Sequence, residues 1–397
     1  MNTNLIAIAA AALSIPVVAS AEPADSIFKP LNDKGYGTFS GRIQNLSMYR
    51  DIELRGQYGY NSTLAALIAY QSPEFGGFDL GVAYNYAFTL FDGGHPSLLA
   101  NDDINVINEA WLRYSFEDAG LEDTHLLAGR KIVNGEVFRA DDYRQKARSV
   151  EGVQFTTKAI PDTTLTVGHA VRMSNWIDAG DRSDFNDFGD VFGTGYDTDG
   201  VTWAEAVYTG FKGWEISVYD AYAWDVANLI GTRIQYEFCD EAKLIGYYRH
   251  EGDVGMAPSR QSDAYGLSYQ QKVGNFTLEP GYFAVHGGDL RFQELTTGIN
   301  HPLGASMIIC SCQFFGGAQT AYLKATTKVG KTTLYCLYNY TWHDKNPFDG
   351  QEVNFVAKYP VTDNFTVCFK GGVGYRDWQG RDNTTSVDGR LFATYTF

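Results

Sequence analysis

The chain ends in an alternating stretch in which residues 387–397 read Val-Asp-Gly-Arg-Leu-Phe-Ala-Thr-Tyr-Thr-Phe. One set of alternate positions is apolar or small and comprises Val387, Gly389, Leu391, Ala393, Tyr395 and Phe397. The other set is mostly polar and includes Asp388, Arg390, Thr394 and Thr396. Because successive side chains of a β-strand point to opposite faces, the stretch predicts a strand with one apolar and one polar face.

A terminal strand of this kind, closing on an aromatic residue, resembles the last strand of bacterial outer-membrane barrels. The other end of the chain supports export. Residues 1–21 contain no Lys, Arg, Asp or Glu, and their apolar run is followed by the small-x-small pattern Ala19-Ser20-Ala21. This is typical of a secretory signal peptide and is too short to span a membrane as a helix. We therefore expect a signal peptide at residues 1–21 and a single barrel domain at residues 22–397.

The composition of the remaining chain also favours a barrel. No later stretch is long and apolar enough to span a bilayer as a helix. Aromatic residues nevertheless make up 15% of the chain, which also contains 42 glycines. Since lipid offers no hydrogen-bond partners to the backbone, only helices and closed barrels can span it. The 5 cysteines include no Cys-x-x-Cys pair, and we expect mostly free thiols.

Eighteen stretches of alternating character follow one another, the first at residues 36–46 and the last at residues 387–397. Their connections differ in length in a regular way. Every second connection is a short turn rich in Gly, Pro, Asp and Asn, as at residues 159–162, 210–213 and 328–331. The others are mostly long and polar, as at residues 133–149, 173–200 and 287–318. The pattern predicts an all-β, transmembrane antiparallel β-barrel of about 18 strands, wide enough for an aqueous lumen.

Residues around the third long connection resemble a known family. They read Gly129-Arg130-Lys131, then Asp141-Asp142-Tyr143-Arg144, then Gly152-Val153-Gln154. This order is similar to the third extracellular loop of the OprD-like outer-membrane porins. A second similarity, to the strand pair ahead of that family's seventh loop, covers Tyr265 to Gln270 and Gly274 to Thr277. The chain departs from the family where Gln145-Lys146-Ala147 replaces the usual Leu-Pro.

The resemblance implies an 18-stranded channel with its lumen inside one chain. The third and seventh loops would fold inward, and a ladder of Arg and Lys would guide small carboxylated solutes such as amino acids or aromatic acids. On this basis the pore constriction comprises Arg139, Asp141, Asp142, Arg144, Lys146 and Arg148. The cations would hold a substrate carboxylate, and the two aspartates would orient them or contact an amine. The alternative is a solvated loop held by its own ion pairs.

Further basic residues are candidates for the lumen wall. Within their strands they oppose apolar residues: Arg42, Arg113, Arg172, Arg233 and Arg390. Because a charge on the lipid face at mid-bilayer would cost about 2–4 kcal/mol, we expect them to face water. Arg130 and Lys131 are consecutive, so only one can point inward, and the resemblance favours Arg130.

Other classes of function have weaker support. The net charge of −16 argues against an anion channel, but many acids lie in the long connections, where they favour solubility. The chain contains no His-Glu-x-x-His and no Gly-x-Ser-x-Gly, so we expect no enzyme, metal site or cofactor. A general 16-stranded trimeric porin, a secreted carbohydrate-binding β protein and an outer-membrane hydrolase remain alternatives. Expected partners are outer-membrane lipid, lipopolysaccharide and small solutes, with no nucleic acid, for a monomer or a homotrimer.

Overall fold

A computed structural model describes residues 28–53, 57–93, 103–140, 144–175, 184–192, 198–255, 261–290 and 312–397. The expected signal peptide at residues 1–21 lies outside these ranges. Two short α-helices occur in them, α1 at Lys29–Asn32 and α2 at Phe188–Phe192. No helix of the described residues is long and apolar enough to cross a membrane.

The described residues form nineteen strands. They are β1 (Thr38–Ile52), β2 (Gln57–Gln71), β3 (Phe78–Asp92), β4 (Ile104–Ser115), β5 (His125–Lys131), β6 (Ser149–Thr157), β7 (Thr163–Ser174), β8 (Asn186–Asp187), β9 (Val201–Tyr208), β10 (Trp214–Ala223), β11 (Ala227–Cys239), β12 (Ala242–Asp253), β13 (Ser262–Val273), β14 (Phe276–Gly287), β15 (Ala318–Val329), β16 (Thr332–His343), β17 (Phe348–Pro360), β18 (Phe365–Trp378) and β19 (Thr384–Thr396). The strand β8 has two residues and pairs only with the end of β7.

The other eighteen strands close into one antiparallel barrel. Consecutive strands pair with each other, β7 pairs directly with β9, and β1 pairs with both β2 and β19. Closure leaves neither the first nor the last strand with a free edge. The predicted fold is confirmed, with eighteen barrel strands among the described residues and not the sixteen of the alternative.

The wall of the barrel follows the alternation in the sequence. In β3, Phe78, Leu80 and Val82 point outward and are 41–49% exposed, whereas Asp79 and Asn85 at the alternate positions point inward and are at most 3% exposed. In β19 the predicted apolar positions likewise point outward and the polar positions inward. An apolar outer face suits the hydrocarbon of a bilayer, and the polar inner face lines a lumen.

Tyrosines at the rim of long loops bond to polar side chains of the neighbouring strand. The hydroxyl of Tyr84 donates to Oδ1 of Asn105 at 2.8 Å, and that of Tyr248 donates to Oδ1 of Asp263 at 2.9 Å. Tyrosine suits the membrane interface because its ring is apolar and its hydroxyl is polar. These residues belong to the aromatic girdle that borders the apolar outer face of a membrane barrel.

The last residue takes part in barrel closure. The backbone N–H of Gly41 donates to the carbonyl oxygen of Phe397 at 2.7 Å, and the N–H of Phe397 donates back at 3.0 Å. The Phe397 ring lies over Gly41, so that a Cβ atom at this glycine would overlap the ring. Phe28 covers the other side at a ring centroid distance of 5.4 Å. The aromatic terminus therefore fills a space that requires a glycine on β1.

Substituting Gly41 with alanine should weaken barrel closure. We expect a loss of about 1–3 kcal/mol in the free energy of unfolding, because the added methyl must displace the Phe397 ring or the strand. Urea unfolding in lipid vesicles measures this loss. Gly389→Ala is the matched control, since a Cβ at Gly389 on the partner strand β19 meets nothing within 4 Å. Equal losses for the two variants would contradict the role of Gly41.

Many strands extend beyond their predicted limits, mostly towards the rim of long loops. The strand β1 continues to Ile52, whereas alternation predicts an end at Leu46. Asn45 and Ser47 occupy outward positions there and bond to each other and to Ser62, which hides the apolar periodicity. Cys239, Cys336 and Cys368 are free thiols, Cys312 is buried, and Cys310 lies outside the described ranges.

Candidate functional site

The third long connection, loop 3 (residues 132–148), joins β5 to β6 and runs across the inside of the barrel. Its two halves contact opposite parts of the wall. Glu136 reaches β9 to β11, and Gln145 reaches β1 and β2. Asp141 and Asp142, two of the predicted constriction residues, lie outside the described residues.

The first attachment of loop 3 uses charge. The Glu136 carboxylate accepts a bond of 2.7 Å from Nε of Arg233, which also donates to Glu215 at 2.6 Å. The backbone N–H of Glu136 donates to the Glu205 carboxylate at 2.9 Å. Phe138, two residues after Glu136, packs edge-on against the Trp203 ring with the ring centroids 4.9 Å apart. This half of the loop is therefore held by partly buried charged bonds and by an apolar cluster.

The second attachment uses amides and carbonyl groups. The side-chain amide of Gln44 donates to the carbonyl oxygen of Arg144 at 2.6 Å, and Arg42 donates to the carbonyl oxygen of Gln145 at 3.1 Å. The Gln145 side chain donates to the hydroxyl of Thr63. Gln145, where the chain departs from the family that it resembles, thus bonds to the wall in this loop conformation.

Lys146 and Arg148 face the wall behind loop 3. The Lys146 ammonium, whose residue has no exposed surface, donates to Asn108 at 3.0 Å and to Ser174 at 2.6 Å. Arg148 donates to the side-chain oxygen of Asn175 at 3.1 Å. Both residues were expected to line the constriction. In the structure these bonds attach the loop to β4 and to the end of β7, and lining of the constriction stays a prediction.

A concentration of positive charge lies beside the second attachment. The inward faces of β18, β19 and β1 carry five basic residues against the single carboxylate of Asp388. We call these five residues the basic wall: Arg42, Arg50, Lys370, Arg376 and Arg390. Arg390 and Lys370 are cross-strand partners. Asp388 is 1% exposed and accepts bonds from Arg50 at 2.6 Å and from Arg390 at 2.7 Å.

Arg144 brings a sixth cation to this region from loop 3. The residue is only 3% exposed. Burial, together with the guanidinium groups of Arg50 and Arg390, lowers the pKa of Arg144 well below its ordinary value, and Asp388 opposes this effect. An arginine remains protonated in proteins even so. The arrangement therefore gathers permanent positive charge where its electrostatic cost is high and where an anion would relieve it.

The opposite wall has a different balance of charge. Its inward carboxylates include Glu205 on β9, Glu215 on β10 and Glu279 on β14. Two of them pair with cations, since Glu215 accepts from Arg233 at 2.6 Å and Glu279 accepts from Lys324 at 3.1 Å. Positive charge thus dominates one side of the lumen, and both signs share the other.

The seventh long connection, loop 7 (residues 288–317), also folds inward in its described parts, residues 288–290 and 312–317. Leu290 and Phe314 are buried among Phe283 and other apolar residues of the inner wall. Cys312, in a short 3₁₀ turn, packs with Ile52 and Phe348 on another part of the wall. The expected inward folding of both loops is therefore present in the described residues.

Two residues that were predicted for the lumen wall lie on the outward side of the sheet. Arg130 and Arg172 share the outward side of the sheet with Ala110 and Glu151, at the rim of long loops. A β-bulge at Val171 opposes Arg172 to Glu151 and reverses the inward side expected from alternation. Arg130 bonds to Glu151 at 2.8 Å, and near the interface such charges cost only about 0–1 kcal/mol.

Lys131, which follows Arg130 in β5, points inward instead, and its ammonium lies 4.4 Å from the centre of the Trp111 ring. The remaining predicted wall residues have the inward side expected of them. Arg42 and Arg390 belong to the basic wall, Arg233 holds loop 3, and Arg113 pairs with Asp79 at 2.6 Å near the rim of short turns. Arg139, of the predicted constriction, is partly buried on loop 3.

Sequence reasoning missed several inward residues. Lys370 lies within a predicted strand and opposes Phe369, so the same alternation rule identifies it. Arg50 follows Arg42 at an even spacing but lies beyond the predicted end of its strand. Glu136 and Glu205 had no signal, because their contact depends on how loop 3 crosses the lumen.

A closed barrel with an apolar outer face, a charged lumen and inward loops defines a channel-forming outer-membrane protein. Comparisons agree with this class. The family described as outer membrane porin, OprD family, matches residues 118–328. No curated protein matches the chain.

Solved structures share the whole fold. A BenF-like porin from Pseudomonas fluorescens Pf-5 is 16% identical, with a TM-score of 0.77, and the match covers 91% of this chain and 98% of that chain. OpdK of Pseudomonas aeruginosa, solved with vanillate, is 15% identical with a TM-score of 0.76, covering 90% of this chain and 98% of the other. OccK2 (OpdF) of Pseudomonas aeruginosa, in complex with glucuronate, is 18% identical with a TM-score of 0.72, covering 91% and 98%.

The chain belongs to the OprD family of outer membrane porins. It is therefore a β-barrel of the bacterial outer membrane that acts as a channel and not as an enzyme. Membership of this family excludes two alternatives of the sequence analysis, a secreted carbohydrate-binding β protein and an outer-membrane hydrolase.

Proposed function

We propose that this channel passes small carboxylate-bearing solutes, which move along the basic wall beside Arg144 of loop 3. The observation that carries the proposal is the excess of five basic residues over one carboxylate on the inward faces of β18, β19 and β1. Charge-assisted bonds from arginine and lysine to carboxylates are short and strong. A wall with several such donors offers a solute successive weak sites, which selective conduction requires.

The constriction is proposed to be asymmetric in charge. A solute carboxylate would face the basic wall, and a solute ammonium or hydroxyl group would face Glu205 and Glu215 across the lumen. Asp141 and Asp142 are proposed to complete the constriction from loop 3. The structural relatives solved with vanillate and glucuronate hold ligands that carry one carboxylate each, which supports this class of solute.

We further propose how the channel reaches the membrane and what surrounds it there. Residues 1–21 would direct export, and the apolar outer face would contact outer-membrane lipid and lipopolysaccharide. Because the lumen lies within one chain, each protomer would conduct on its own whether the protein is a monomer or a homotrimer.

Reversal potentials across a planar bilayer in a KCl gradient test the proposal. We expect the wild-type channel to prefer chloride, and both Lys370→Gln and Arg144→Ala to move the reversal potential towards cation preference because each removes a cation beside the lumen. Lys331→Gln is the control, since Lys331 is exposed in the short turn between β15 and β16. An unchanged potential in both test variants would reject the proposed role of the basic wall.

A solute test separates carboxylate recognition from general anion preference. Vanillate should interrupt the chloride current of the wild-type channel, whereas the uncharged vanillyl alcohol should not. Lys370→Gln should shorten the interruptions, because one charge-assisted bond to the carboxylate is removed. Equal interruption by the acid and the alcohol would show that the carboxylate is not recognised.

A further inference from the structure

His343, the last residue of β16, lies between two backbone carbonyl groups. Its Nδ1 is 2.8 Å from the carbonyl oxygen of Phe348, and its Nε2 is 2.9 Å from the carbonyl oxygen of Cys312. Phe348 begins β17, whereas Cys312 belongs to the 3₁₀ turn of loop 7. The half-buried imidazole thus joins the barrel wall to loop 7 through two groups that can only accept a hydrogen bond.

Both contacts need an N–H donor on the imidazole ring. A neutral imidazole has one N–H donor and one nitrogen lone pair, so it can donate to only one of the two oxygens. Its other nitrogen then faces a carbonyl oxygen, lone pair against lone pair. The imidazolium form donates at both nitrogens and satisfies both oxygens at the observed distances.

We propose that His343 is a positioning residue that, when protonated, holds the Cys312–Phe314 turn of loop 7 against the wall and thereby makes the state of the lumen depend on pH. The protonated form keeps both bonds. On deprotonation one bond is lost, and the turn is held less firmly. The proposal does not depend on which solute the channel carries.

The position of the turn connects it to the basic wall. Cys312 has no exposed surface and packs with Ile52, which is two residues from Arg50 on the inward face of β1. A Cβ at Gly350 would lie 2.6 Å from the Cys312 sulfur, so the wall has a recess at this point. A shift of the turn therefore changes the space at one end of the basic wall.

Other bonds keep the rest of this segment in place when the histidine bond weakens. The backbone N–H of Gly316 donates to the Asp289 carboxylate at 2.8 Å, and the N–H of Leu290 donates to the carbonyl oxygen of Phe314 at 3.1 Å. Loss of one histidine bond should therefore loosen the turn locally without unfolding the loop.

The charged groups around the imidazole bond to atoms other than its two ring nitrogens. Asp349 accepts from the backbone N–H of His343 at 3.2 Å, Lys345 donates to the carbonyl oxygen of Gly287 at 3.0 Å, and Asp344 accepts from Gln319 at 3.2 Å. Arg376 lies 5.1 Å from the centre of the Phe348 ring. Aspartate, lysine and arginine ordinarily change charge outside the range of roughly pH 5 to pH 8, whereas histidine ordinarily changes charge within it. The pH dependence is accordingly assigned to His343.

Single-channel recording in KCl tests the proposal at about pH 5.5 and about pH 8, on either side of the ordinary titration of imidazole. We expect wild-type current fluctuations to be several-fold more frequent at the higher pH, where the turn is loosened. The variant His343→Gln should show the same frequency at both. The control His286→Gln, which alters an outward histidine bonded to Tyr265, should keep the wild-type profile. A wild-type profile in His343→Gln would overturn the proposal.

A second measurement tests the turn directly. Full-length protein in vesicles is treated with a small water-soluble maleimide, and peptide mass spectrometry determines the labelling rate at Cys312. Because thiol reactivity itself rises with pH, the rate is expressed relative to His343→Gln at the same pH. We expect the wild type to react several-fold more slowly than the variant at the lower pH and at a similar rate at the higher pH. A ratio that does not change with pH would refute the coupling, even if the variant folds poorly.

Discussion

Replacing Asp388 with asparagine is expected to destabilise the barrel by about 3–5 kcal/mol, the usual effect of removing one partner from a buried ion pair. Asp388 is buried, and it accepts bonds from both Arg50 and Arg390. Arg144 lies close to the same two guanidinium groups. Without the shared carboxylate, the three largely buried cations Arg50, Arg144 and Arg390 repel one another.

The same substitution should increase the preference of the channel for anions, because it removes the one carboxylate among the basic residues of β18, β19 and β1. Urea unfolding in lipid vesicles measures the stability, and reversal potentials in a KCl gradient measure the selectivity. Asp377→Asn is the matched control, since Asp377 is exposed on the neighbouring strand β18. If Asp388→Asn costs no more than about 1 kcal/mol, as an exposed ion pair would, Asp388 does not neutralise a buried cluster.

Weakening the attachment of loop 3 to both walls is the second change with a large expected effect. The double variant Glu136→Ala, Gln145→Ala removes a charge-assisted bond to Arg233 and the amide bond to Thr63. At about 1.5–3 kcal/mol for the charged bond and about 0.5–1.5 kcal/mol for the neutral one, the attached state loses roughly 2–4 kcal/mol. This corresponds to a shift of roughly 30-fold to 1,000-fold in the equilibrium between attached and detached loop.

A detached loop should widen the narrowest part of the lumen, so we expect a larger open-channel conductance and weaker discrimination between solutes. Single-channel conductance and exclusion of neutral polymers of graded size measure the two effects. Glu237→Ala serves as the control, because it removes an inward, exposed carboxylate near the rim of short turns, where it accepts a bond from Gln235 of the same strand. A double variant with wild-type conductance would mean that these bonds do not determine the width of the lumen.

Alternation was a reliable guide to the wall. It predicted the eighteen strands and the inward side of Arg42, Arg113, Arg233 and Arg390. It was wrong for Arg172, because a β-bulge adds one residue to the strand and reverses the side of every residue that follows. A bulge depends on pairing with the neighbouring strand, and nothing in the local sequence of β7 marks it.

Loop 3 shows where sequence reasoning reached its limit. The density of charge between Arg139 and Arg148 indicated a constriction, but charge density does not say which partners the side chains find. Lys146 bonds to Asn108 and Ser174 on the wall, whereas Glu136, which no motif distinguished, holds the other half of the loop. These contacts join residues 28 to 97 positions apart, so they follow from the path of the loop and not from the residues near them in sequence.

The sequence alone determined the class of fold and the face to which each side chain of a regular strand points, because a period of two residues assigns side chains to lipid or to lumen without knowledge of their neighbours. The closing stretch at residues 387–397 is the clearest case, and its inward Arg390 and Asp388 were identifiable from alternation. Only the tertiary structure decided that Asp388 joins Arg50 to Arg390, that loop 3 attaches to both walls and that His343 contacts loop 7. Each of these contacts depends on distances between strands and loops far apart in the chain, which are set by closure of the barrel.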